Sequence, residues 1–131
     1  MKSIETWYSS YALLGAAAAG VIPILLPLTV LHAAGPAEVG MVMAAFSLGG
    51  LTAPVWGRLA DQHRLHRPLL VGGLMALAAG AAAVPEARSL AGLLGLALLQ
   101  GSGLAAASTV AILFIVEVHP EREWDARIGW L

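Results

Sequence analysis

The chain has 131 residues, of which 59% are hydrophobic; its 15 glycines raise the apolar share to roughly 70%, against about 45 to 50% in soluble domains. Charged residues make up only 11% and leave a net charge of -1, with no basic run, which excludes an electrostatic nucleic-acid surface. The absence of cysteine excludes a disulfide framework and a thiolate metal site.

The few charges cluster. Between Glu5 and Arg58 the only one is Glu38, so long stretches have nothing to hold them in water. A hydrocarbon core of about 30 Å is crossed by roughly 20 apolar residues in a helix. Four segments meet or approach that length, about 11–31, 39–56, 69–84 and 90–116, and they predict an all-α, polytopic membrane bundle of four transmembrane helices.

The first segment follows Lys2 and Glu5 and exceeds the roughly 7 to 15 residues of a signal-peptide core, so it is read as a retained span. Pro23 and Pro27 kink it. Ala34-Gly35-Pro36 marks the turn into the second segment, which contains Pro54. A charged stretch from Arg58 to Pro68 is expected to connect it to the alanine-rich third, and Pro85-Glu86-Ala87-Arg88 separates third from fourth. Such short connections make consecutive helices antiparallel.

Loops rich in lysine and arginine stay in the cytoplasm. With the N-terminus inside, Lys2, Arg58, Arg64, Arg67, Arg122 and Arg127 are cytoplasmic and Arg88 is external. Trp7, Tyr8, Tyr11, Trp56, Trp124 and Trp130 are then expected near the cytoplasmic interface, where amphipathic rings are favoured. This orientation suits a plasma (inner) membrane protein.

Membrane helices associate through close approach of small residues four apart. Ala97, Gly101 and Ala105 form such a stripe on the fourth segment. No segment has Asp, Glu, Lys or Arg in its interior. The polar groups at membrane depth are Ser47, Thr52, Gln100, Ser102, Ser108 and Thr109, with His32 at the outer edge of the first segment. Of these, the Gln100 amide is the candidate for lining a solute path, set against the commoner role of bonding a neighbouring helix. No catalytic constellation or cofactor motif occurs, and the four histidines lack metal-site spacing, so an enzyme is not expected.

The second segment ends in Pro54-Val-Trp-Gly-Arg-Leu-Ala-Asp61, followed by Gln62-His-Arg-Leu-His-Arg-Pro68. This resembles the signature loop of the major facilitator superfamily, G-x-L-a-D-R-x-G-R-R, between that family's second and third helices. Gly57, Leu59, Ala60 and Asp61 match in order and spacing. Gln62 replaces the usual arginine, the later glycine is absent, and the stretch is one residue longer, leaving Arg67 alone, or Arg64 with Arg67, to supply the positive charge. A second family pattern, linked with proton coupling, fits Gln100-Gly101-Ser102-Gly103, but its arginine position is Ala97 here.

The resemblance implies secondary transport of a small solute by alternating access. It implies that Gly57, Asp61, Arg64 and Arg67 belong to a conformational latch that closes the cytoplasmic side. It covers about the first third of a twelve-helix member, so 1–131 is read as a partial N-terminal transmembrane domain. Its partners would be the lipid bilayer, the solute and further C-terminal helices, without which it would be inactive. Two other readings are a small non-transporting membrane subunit or assembly factor, and a four-helix dimeric multidrug transporter. The latter normally places an acid in its first helix, where this chain has none.

Overall fold

A computed structural model of the protein describes Gly15, Ala16, Gly20 and residues 22–118. The described chain is helical: α1 is Ile22–Ala33, α2 Pro36–Gly50, α3 Ala53–His63, α4 His66–Ala83 and α5 Leu90–Val118, with a 3₁₀ turn over Val84–Glu86. This is the all-α bundle expected. Three helical runs are long and apolar enough to cross a membrane: Pro36–His63, made of α2 and α3, then His66–Glu86 and Leu90–Leu113. At 1.5 Å per residue the shortest, 21 residues, reaches about 31 Å. Ile22–His32 is a shorter apolar helix, and most of the first expected span before it lies outside the described residues.

Local chemistry sets the helix ends. Ala34 and Gly35 N–H both return to Val30 O, at 2.8 and 3.3 Å, and Gly35 turns the chain at φ 128, a conformation glycine adopts without steric cost. Pro36 then opens α2, where its missing N–H is not needed, and Glu38 sits in the first turn near the positive end of the helix dipole.

The connection assigned to Arg58–Pro68 is shorter than expected, because the charged residues continue the helices. Only Arg64 and Leu65 are non-helical, and Arg64 adopts the left-handed conformation at φ 52. Leu65 N–H bonds Ala60 O at 3.3 Å, which closes the end of α3. Charge ends a hydrophobic run but not a helix: Arg58, Asp61 and Gln62 face outward while Ala60 is fully buried. Pro68 is the third residue of α4, where an N–H would have no intrahelical partner.

The bundle is organised around α5. On one side, Gly101 packs against the Phe46 carbonyl and lies close to Gly49, whose own missing Cβ would meet the Leu98 carbonyl and Ser102 N. On the other side, a Cβ on Gly73 would stand 2.6 Å from Gly103 O, and one on Gly103 2.7 Å from Gly73 O. Gly49 beside Ser102 and Gly57 beside Thr109 put the α2–α3 span parallel to α5, and Gly73 beside Gly103 with Gly80 beside Gln100 puts α4 antiparallel to it. Backbone meets backbone at both seams, the close approach on which helix packing in lipid depends. Ile22, Leu26 and Val30, one turn apart on α1, share a core with Val42 and Ala45 of α2, Leu77 of α4, and Leu93, Ala97 and Ala107 of α5. Large apolar side chains such as Ile24, Met41, Leu48, Val71, Met75 and Leu99 point out of the bundle, as a surface solvated by lipid requires.

Candidate functional site

At one end of the bundle, α3 and the start of α4 carry the signature residues. Asp61 is exposed in the last turn of α3, Arg64 forms the left-handed turn and Arg67 is exposed in the first turn of α4. Arg88 follows the 3₁₀ turn at the far end of α4, so the length of that helix separates it from Arg64 and Arg67. Gly57 lies in mid-helix, and a Cβ there would stand 3.3 Å from Thr109 Cγ2. Its place is therefore a close approach of α3 to α5 within this chain.

One turn earlier, a polar cluster joins the break between α2 and α3 to α5. The Trp56 indole N–H donates to Thr52 Oγ1 at 2.9 Å and to Ser102 Oγ at 3.1 Å. The Thr52 hydroxyl lies 2.7 Å from Gly49 O and 3.1 Å from Ser102 Oγ. Thr52 and Ser102 are legible in the sequence as polar groups at membrane depth. Trp56 was expected at the interface, but its N–H is spent inward, on a partner 46 positions away. The spacing of Trp56 four residues after Thr52 is the one local signal of this arrangement. Beside the cluster a groove of about 270 Å³ opens between α3, α4 and α5, floored by Gly72, Gly73, Ala76 and Gly103.

Most other polar groups at this depth bond their own helix. Ser47 Oγ donates to Met43 O at 3.0 Å, Ser108 Oγ to Leu104 O at 2.8 Å, and the His32 ring lies 2.7 Å from Leu28 O. Gln100 differs. It is 1% exposed, the largest fully buried side chain, and its Nε2 has no hydrogen-bond partner among the described residues. A Cβ on Gly80 would overlap its Cγ at 2.5 Å, so glycine at 80 makes room for it. Ala97, Gly101 and Ala105 are all buried, Gly101 facing α2 and Ala97 in the shared core. Among the described residues no three His, Asp or Glu side chains gather as a metal donor set.

No curated protein and no solved structure matches the chain. The family model of the Major Facilitator Superfamily matches residues 8–131, nearly the whole sequence. The membrane-length apolar helices and this match together make the chain an integral membrane protein of a transporter family, whose members are not enzymes. The chain belongs to the major facilitator superfamily.

Proposed function

We propose that these helices form part of the first of two bundles in a carrier that moves a small solute by alternating access, the bundles rocking about a site between them. The observation that carries this reading is the family match over residues 8–131. The N-terminus and the Arg64–Leu65 turn face the cytoplasm of a plasma (inner) membrane. Gly57, Asp61, Arg64 and Arg67 then form the cytoplasmic latch, with the exposed Asp61 carboxylate free to meet a helix N-terminus of the second bundle.

Gln100 is the polar contact on the solute path in this reading, supported by its unspent amide. A donor left without a partner in an apolar interior costs about 1–3 kcal/mol, and an opening of the bundle that brings in an acceptor recovers it. Two bundles are needed to alternate access, so the 131-residue polypeptide alone is inactive. Liposomes containing only this chain are expected to show no uptake from a panel of radiolabelled sugars, amino acids and cationic drugs. Uptake above empty liposomes would overturn the two-bundle reading.

A further inference from the structure

The second span is broken at one defined place. Leu51 N–H bonds Leu48 O at 3.1 Å and Thr52 N–H bonds Gly49 O at 3.2 Å, the tighter three-residue spacing of a 3₁₀ turn. Val55 N–H bonds Thr52 O at 3.0 Å, and Pro54, having no N–H, leaves Gly50 O without its helical donor. The two sides of the break are held differently. Before it, α2 is fixed to α5 backbone to backbone at Gly49 and Gly101. After it, α3 meets α5 through side chains: the Thr109 methyl against Gly57, and the hydrogen bond of Trp56 to Ser102. On one side of Trp56 lies the groove floored by Gly72, Gly73 and Ala76, which gives α3 room to move.

We propose that the second span is a lever hinged at Leu51–Thr52, and that the Trp56–Ser102 hydrogen bond is the catch that holds its inner arm, α3, against α5. Regular helical pairing is interrupted at the hinge, where a proline and three bonds of three-residue spacing replace it. The arm has 11 residues, about 16 Å. A change of about 20° in the kink therefore carries its far end, with Asp61 and Arg64, about 6 Å. Releasing the catch moves the charged end of the span while the α2–α5 seam stays closed. Only the use of this motion, in opening the cytoplasmic side, rests on the transport reading.

The chain has no cysteine, so introduced pairs can be spin-labelled without background. One pair, Gln62→Cys with Ile112→Cys, reports the far end of α3 against α5; a second, Met41→Cys with Ala91→Cys, reports α2 against α5. Pulsed EPR of the full chain in lipid nanodiscs, with no solute present, measures both. Ser102→Ala and Trp56→Phe are each expected to shift or broaden the first distribution by about 6 Å and to leave the second unchanged, and Ser102→Thr, which keeps the hydroxyl, to retain the parent distribution. An unchanged first distribution in both variants overturns the catch. Movement of both pairs together overturns the hinge, since it reports general loosening. Neither result touches the family assignment.

Discussion

Gln100 concentrates the residue-scale physics. Its amide is buried beside Gly80 with Nε2 unpaired among the described residues, so folding these helices forfeits the hydrogen bonds of that nitrogen. Gln100→Met keeps the length of the side chain and removes the unpaired donor. It is expected to stabilise the chain by about 1 kcal/mol in thermal unfolding in detergent. Gln100→Ala leaves a cavity and is expected to destabilise by about 2 kcal/mol. A loss with Met equal to the loss with Ala would show that the amide is bonded in the folded state. The sequence marks Gln100 as the largest uncharged polar group on its span. Its burial depends on a glycine 20 positions away and was not legible there. For the same reason the inward hydrogen bond of Trp56 was missed: interfacial placement follows from amphipathic chemistry, but the partner at Ser102 is set by how α5 lies against the break.

At the scale of elements, the second, third and fourth apolar runs and the turns at Gly35-Pro36 and Pro85-Glu86 were legible because length and charge decide partitioning. The boundary near Arg58–Pro68 was not, since hydropathy reports where the hydrocarbon ends and a helix can continue beyond it. The seams were legible only in part. Ala97, Gly101 and Ala105 stand out as a stripe; Gly103, which meets Gly73, lies on another face with Ala107 and Ala111 at the same spacing of four, and in a helix this rich in small residues the spacing does not say which face meets which neighbour. Gly73→Ala and Gly103→Ala force a methyl group into facing backbone, and each is expected to destabilise the bundle by about 1–3 kcal/mol. Gly72 has nothing within 4 Å of a Cβ position. Gly72→Ala is therefore expected to be neutral or stabilising by up to about 1 kcal/mol through helix propensity. Equal melting temperatures for the Gly72 and Gly73 variants would contradict the α4–α5 seam.

At the scale of the whole molecule, α5 runs through the bundle with α2 and α3 on one flank and α4 on the other, and the positive charges separate by end. Arg64 and Arg67 occupy one end of α4, and Arg88 lies beyond the other. If the helices partition into the bilayer as their composition dictates, these two ends lie on opposite sides of it, the richer one inside. The most direct measurement is labelling of single cysteines, at Arg64→Cys and at Arg88→Cys, in intact cells with a membrane-impermeant maleimide. The account predicts that Cys at 88 reacts from outside and that Cys at 64 reacts only after the cells are opened. Reaction of position 64 from outside, or equal reaction of both before opening, would contradict it.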